Sequence, residues 1–182
     1  MKKLTTTSLA WLAALGLVLA ASAQEPPTGG EAADKLSGSY RLALPPDTAQ
    51  KRIEDAIDSG TDDMPGLRRR VARKRLRAKN DLIRQIQIDF RGSDIVVVLD
   101  DDRYAAPADG KLVKVRLSDG EEVRVSHKLA GGRLVQRFVG DDGVRVDVFT
   151  PSDDGSRLRM NVVLTSDRLK GPIRYRLPYR AR

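Results

Sequence analysis

The chain has 182 residues, with 33 Lys and Arg against 25 Asp and Glu, a net charge of +8, one histidine and no cysteine. Without cysteine there is no disulfide framework, no lipid attached through a cleavage-site thiol and no thiol nucleophile. One domain is the natural count at this length, and the basic balance favours anionic partners such as phospholipid, lipopolysaccharide or nucleic acid.

The N-terminus reads as a secretory signal peptide over residues 1–23: Lys2 and Lys3, an apolar core over 9–20, then Ala21 and Ala23 flanking Ser22. The apolar stretch falls short of the roughly 18 residues that a membrane span needs. Cleavage would leave Gln24 first and remove two lysines but no acid, so the mature charge is +6. The expected location is therefore the periplasm or the exterior, soluble and without a lipid anchor, where a membrane surface is the expected anionic partner and nucleic acid is not. Residues 24–36 are mainly Pro, Gly, Glu, Ala and Asp, too polar to offset their ordering entropy, and predict a flexible leader. A single domain over 37–182 follows.

Alternation over 39–44, with Tyr40, Leu42 and Leu44 on one face, predicts a first strand. Pro45 and Pro46 stop it. Asp47, with Gln50 three residues on, looks like a capping box opening a helix that carries Ile53 and Ile57 and ends at Gly60. A second helix begins near Pro65 and runs toward Asn80, so a helical insertion spans 47–80. This second helix is densely basic, and Arg69, Arg70, Arg73, Lys74 and Arg77 are its candidate contacts with an anionic surface. Its apolar residues fall on two stripes, Leu67, Val71, Ala78 and Leu82 on one, Ala72, Leu76 and Ile83 on the other, so one side can rest on the domain and leave the cations outward. A merely solvated helix face is the alternative.

From Asp81 onward the period is two. The inward sets are Ile86, Ile88 and Phe90; Val113, Val115 and Leu117; Val123 and Val125; Leu134, Gln136 and Phe138; Val144, Val146 and Val148; Leu158, Met160, Val162 and Leu164; and Ile173, Tyr175 and Leu177. Arg124, Lys128, Arg137, Arg145, Asp147, Arg157, Arg159, Arg174 and Arg176 then lie outside. Gly- and Asp-rich turns, such as Gly131-Gly132 and Asp141-Asp142-Gly143, recur about every 8 to 12 residues, which leaves no room for crossover helices. The expected fold is mainly β: an antiparallel up-and-down barrel of about 9–10 strands, closed or nearly so, with a helical pair inserted after the first strand.

This order, a strand opening Gly38-x-Tyr40, a helical pair, then a hairpin meander to the C-terminus, resembles the calycins, and fatty-acid-binding proteins more than lipocalins. The likeness covers about 36–182 and implies a barrel that encloses an apolar ligand beneath helices. Two features depart from it. Lipocalins open with Gly-x-Trp, and Trp11, the chain's one tryptophan, falls in the signal segment. Fatty-acid-binding proteins hold a carboxylate with an inward Arg-x-Tyr pair in the last strand, whereas here Arg174 and Arg176 lie opposite Tyr175 by alternation, so that anchor does not carry over.

The side chains expected to line a ligand site in the barrel are Tyr40, His127, Gln136 and Tyr175. His127 and Gln136 are polar intruders on inward faces and can either orient a ligand or satisfy each other. No nucleophile, base or serine elbow forms a catalytic constellation, so no enzyme activity is expected. No metal site or cofactor is expected either, because Asp100–Asp102, Asp141-Asp142 and Asp153-Asp154 sit at turns that favour Asp for backbone reasons and lack the spacing of a calcium loop. The partners that remain are a small apolar ligand or lipid inside the barrel, or an anionic envelope surface or acidic protein outside a filled one.

Overall fold

The computed structural model describes residues 29–117, 120 and 122–182. The signal peptide expected over 1–23, and the start of the leader, lie outside the described residues. In chain order come helix α1 (Gly29–Leu36), strand β1 (Gly38–Leu42), and helices α2 (Pro46–Thr61) and α3 (Gly66–Ala78). Nine strands follow: β2 (Gln85–Arg91), β3 (Asp94–Leu99), β4 (Asp102–Pro107), β5 (Val113–Arg116), β6 (Glu122–Ala130), β7 (Arg133–Gly140), β8 (Gly143–Pro151), β9 (Arg157–Thr165) and β10 (Ile173–Ala181).

All ten strands belong to one antiparallel sheet in the order β4-β3-β2-β1-β10-β9-β8-β7-β6-β5. Every neighbouring pair except β1–β10 is consecutive among the strands or joined by the helical pair, which is the meander expected from the turn spacing. β1 closes against β10, Tyr40 facing Ala181 and Leu42 facing Tyr179, so the seam falls between β4 and β5. That seam is drawn together by an isolated bridge between Asp109 and Lys128 and by the Gly110 N–H, which donates to the His127 carbonyl at 2.8 Å. The turn chemistry is local. Gly131 (φ 56°) and Gly132 (φ 72°) supply the two positive φ values that a two-residue hairpin with the right twist requires.

At its lower and middle levels the interior is packed with side chains: Tyr40, Ile88, Val97, Phe149, Met160, Val162 and Leu177 are each at most 2% exposed. At the upper end α2 packs on β10, seating Ile53 and Ile57 in the core, and α3 packs on α2. Gly60 makes that seat possible, because a Cβ there would collide with Cγ1 of Ile173.

The structure corrects three expectations. Residues 29–36 are not part of a flexible leader: they form α1, which plugs the lower end against β7 and β8. Ala32 and Leu36, four residues apart on one helix face, are buried there, and the Tyr40 hydroxyl donates to the Lys35 and Leu36 carbonyls at 3.1 and 3.2 Å. Average composition hid that pair. The start of α2 is not a capping box, because the cap position is Pro45, Asp47 lies within the first turn, and Gln50 bonds Glu54 one turn on; the helix also runs through Gly60 to Thr61.

The third correction concerns β8. Val144, Val146 and Val148 face outward, while Arg145, Asp147 and Phe149 point into the barrel. Hairpin register is the cause. Gly140 pairs with Gly143 across the loop, which places Phe138 opposite Arg145, Gln136 opposite Asp147 and Leu134 opposite Phe149, and directly opposed residues share a face. Since Leu134 and Gln136 point inward, their partners must.

Candidate functional site

The register assembles a row of inward side chains across five adjacent strands: His127 on β6, Gln136 on β7, Asp147 on β8, Val162 on β9 and Tyr175 on β10. One level higher stand Phe138 and Arg145. His127, Gln136 and Asp147 are fully buried, so each needs a partner within the protein.

Arg145 and Asp147, two apart on one strand face, pair in a fork: Nε donates to both carboxylate oxygens at 2.9 and 3.1 Å, and Nη2 donates to Oδ2 at 2.9 Å. Nη1 reaches Oδ1 of Asn80 at 3.4 Å, and that oxygen also accepts from the Tyr175 hydroxyl at 3.5 Å. Asn80 is fixed by donating to the Leu76 carbonyl, so the pair is tied to the end of α3. Phe138 completes the surroundings, with its ring 5.8 Å from the guanidinium carbon and edge-on to Tyr104. Burial opposes the charge on Arg145, but the Asp147 carboxylate more than offsets it and holds the guanidinium pKa above its ordinary value. Burial also pushes the Tyr175 hydroxyl up to about 12 and raises Tyr179, whose hydroxyl donates to the Ile83 carbonyl. Both are neutral donors at any physiological pH.

His127 has one consistent protonation pattern. Its Nδ1 lies 2.9 Å from the Ile95 carbonyl and must carry the proton, so Nε2 accepts from Nε2 of Gln136 at 3.1 Å. Turning the Gln136 amide around would demand an imidazolium, which burial disfavours: desolvation lowers the His127 pKa, with the backbone carbonyls of Ile95 and Ala106 acting against it. The amide orientation is therefore assigned by the imidazole, and it leaves Oε1 of Gln136 buried with no partner among the described residues.

Of the expected barrel-lining residues, the structure brings His127 and Gln136 into contact and places Tyr175 in the same row. Tyr40 stands apart, at the lower end beneath α1. The polar group that sequence reading placed outside, Arg145 with Asp147, is the centre of the interior. Its signal was available in the parity of Phe149, the largest apolar residue of β8.

The cations of α3 divide into two sets. Arg73 bonds Asp58 and Asp62 at 3.1 and 2.8 Å, Arg77 bonds Asp58 at 2.7 Å, and Arg69 lies 4.0 Å from Asp62, carboxylates of the last turn of α2 and of the residue that caps it. Arg70 and Lys74, with Arg68 and Arg75, have no carboxylate partner among the described residues. Leu76 packs on the core, and Leu67 and Val71 point to solvent at 75% and 45% exposure.

No family model matches the chain, and no curated protein matches it. Solved structures do. A secretary abundant heat soluble protein of Ramazzottius varieornatus superposes with a TM-score of 0.54 at 11% identity, over 81% of this chain and 96% of the other. The REP1-NXSQ fatty acid transporter superposes with a TM-score of 0.50 at 13% identity, over 82% and 98%. The fold is calycin-like. At these identities the likeness is one of architecture, and this calycin-like barrel differs from a plain apolar lining in holding an internal ion pair.

That pair generates a stability test. Asp147→Ala leaves a buried guanidinium uncompensated and is expected to cost about 3–5 kcal/mol in urea denaturation, whereas the double change Arg145→Met with Asp147→Leu should be neutral or stabilising by up to about 4 kcal/mol. A single change costing under about 1 kcal/mol would show that solvent reaches the pair. His127 generates a pH test. Its folded pKa lies below the unfolded value of 6.5, so the unfolded chain binds the extra proton first and stability falls as pH drops through 6.5. Between pH 6.5 and about 5, above the carboxylate range, His127→Gln should flatten this slope; an unchanged slope would assign it to another group.

Proposed function

We propose that this is an exported, non-enzymatic interaction protein whose filled calycin-like barrel presents a cationic helix to an anionic lipid surface. The observation that carries the reading is the outer side of α3. Leu67 and Val71 lie one turn apart in solvent, flanked by Arg68, Arg70, Lys74 and Arg75, whose charges no carboxylate of the described residues answers. Two exposed aliphatic side chains among free cations suit the interface of a bilayer: the apolar pair enters the headgroup boundary while the long basic stems reach phosphate. Arg69, Arg73 and Arg77 serve a different end, fastening α3 to α2. The pattern over 1–23 supports export, to the periplasm or beyond.

Replacing Arg68, Arg70, Lys74 and Arg75 together by Gln is expected to weaken co-sedimentation with phosphatidylglycerol-rich vesicles about a thousandfold, at about 1 kcal/mol per cation, with the fold intact. Vesicle binding that survives this change would sink the reading.

A second reading, an apolar ligand inside the barrel lined by His127, Gln136 and Tyr175 with Tyr40 at the far end, is favoured by the unpartnered Oε1 of Gln136 and by the fold shared with the fatty acid transporter. Native mass spectrometry separates the two. The buried interior leads to a clean apo mass after purification without detergent and no uptake of added oleate, whereas a stoichiometric bound lipid would favour this second reading.

A further inference from the structure

Because β8 turns its valines outward, the convex face of the sheet carries an apolar island. Val144, Val146 and Val148 lie along β8, and the register sets Val139 and Val135 of β7 beside the first and third, with Val163 of β9 beside the second. All six are half-buried. They adjoin in three neighbouring strands at cross-strand distance, so they form one patch rather than scattered positions.

Basic side chains border this island along both lateral edges and below. On β6, Arg124 and Lys128 stand opposite Val139 and Val135; on β10, Arg174 stands opposite Val163 and Arg176 follows it. Arg133 and Arg159 flank Thr150 below the valines, and Arg137 lies opposite Val146. No Asp or Glu occupies an outward position of β7, β8, β9 or β10; the nearest acids are Asp141 and Asp142 in the loop above the valines, where Asp142 bonds Arg168 at 2.9 Å, Glu122 beyond Arg124 on β6, where it bonds Arg116, and Asp109, bridged to Lys128 across the seam. All of the bordering cations are exposed, and none has a carboxylate partner among the described residues. On α3, by contrast, the acids of α2 answer part of the charge.

A patch with an apolar centre and lateral rims of one sign is costly to maintain in isolation, through both exposed aliphatic surface and like-charge repulsion. We infer that this face is a docking surface for an acidic protein, one that presents an apolar strip bordered by carboxylates. Charge complementarity selects the occupant. A second copy would set arginines against arginines. All rim cations but Lys128 are arginines, the residue whose planar fork grips carboxylates in pairs and is enriched in protein interfaces. Valine beta-carbons on a convex sheet reach little beyond the arginine stems, which suits a close-fitting protein surface better than bilayer insertion. The surface is separate from α3, so it stands whether or not that helix meets lipid.

The test uses the full chain and a synthetic amphipathic peptide with leucines on one face and glutamates along both edges, a scrambled isomer, and phosphatidylglycerol vesicles. Backbone amide shifts should move around Val146 and Val148, with affinity falling as salt rises, and the scrambled isomer should bind at least tenfold more weakly. The double change Arg137→Glu with Arg176→Glu should lower peptide affinity at least tenfold and leave vesicle binding unchanged. Replacing the free α3 cations by Gln should leave peptide binding intact. The inference is overturned by an absence of peptide binding, by equal binding of the scrambled isomer, by shifts centred elsewhere, or by loss of vesicle binding in the Arg137→Glu, Arg176→Glu chain.

Discussion

The two-residue loop at Asp141 and Asp142 holds β7 and β8 in one register, and most of what distinguishes this barrel descends from it. With Gly140 paired to Gly143, strand parity is no longer free, because a shift by one residue would turn Leu134 and Gln136 out of the core. Gly143 locks the choice from the other side: it adopts φ 152°, and a Cβ on it would run into the Thr165 carbonyl of β9. Arg145 and Asp147 are therefore carried inward whatever their desolvation costs. The fold answers that cost by pairing them with each other and by bringing Asn80 and Tyr175 to the remaining atoms. The same parity ejects three valines onto the outer face. One constraint thus writes both the polar interior and the apolar exterior.

Much of this architecture was legible in residue order. Period-two runs and Gly- or Asp-bearing turns located the meander from Gln85 onward, and the two prolines at 45 and 46 separated the first strand from its helices. Alternation alone, however, divides a strand into two faces without saying which is buried. On β8 the more apolar set was the wrong one, since an ion pair that satisfies itself can enter a core that an unpaired charge could not. Reading hairpin register together with parity would have resolved it, because the inward assignment of Leu134 already dictated that of Phe149. α1 was hidden for a different reason. Two apolar residues, Ala32 and Leu36, suffice when a barrel end and the Tyr40 hydroxyl are waiting for them, and both are tertiary facts.

The interior polar row also explains why fold likeness to a fatty acid transporter does not transfer its chemistry by itself. A buried arginine in an apolar barrel calls for an anion, and in this chain Asp147 supplies one two residues away, with fork geometry that, together with the Asn80 contact, leaves two of the guanidinium's five N–H groups over. An incoming carboxylate would have to compete with a tethered one already in contact, at a very high effective concentration. The His127–Gln136 contact is likewise self-contained except at Oε1. The polar groups of the interior are therefore largely committed to one another.

Attention shifts accordingly to the surface, where charges are not committed. Acidic residues concentrate on α2 and in the turns, and there they have local duties: Asp58 and Asp62 fasten α3, Asp100 accepts the Arg84 and Gln85 N–H groups, and Asp154 accepts from Ser152 and Ser156, which holds its carboxyl well below the usual range. With those acids spent, the basic excess collects on two regions that lack them, the outer side of α3 and the convex face of β7 to β10. Each also exposes aliphatic side chains. A chain needing only solubility would gain nothing from placing valine or leucine at the centre of unpaired cations, since that arrangement invites association with anything anionic and amphipathic. The helix offers long, mobile side chains at a protruding edge, suited to a deformable bilayer, while the sheet face offers short side chains fixed in a lattice by hydrogen-bonded strands, suited to a partner of defined shape. The two surfaces differ in rigidity, and it is that difference which assigns them to different kinds of partner.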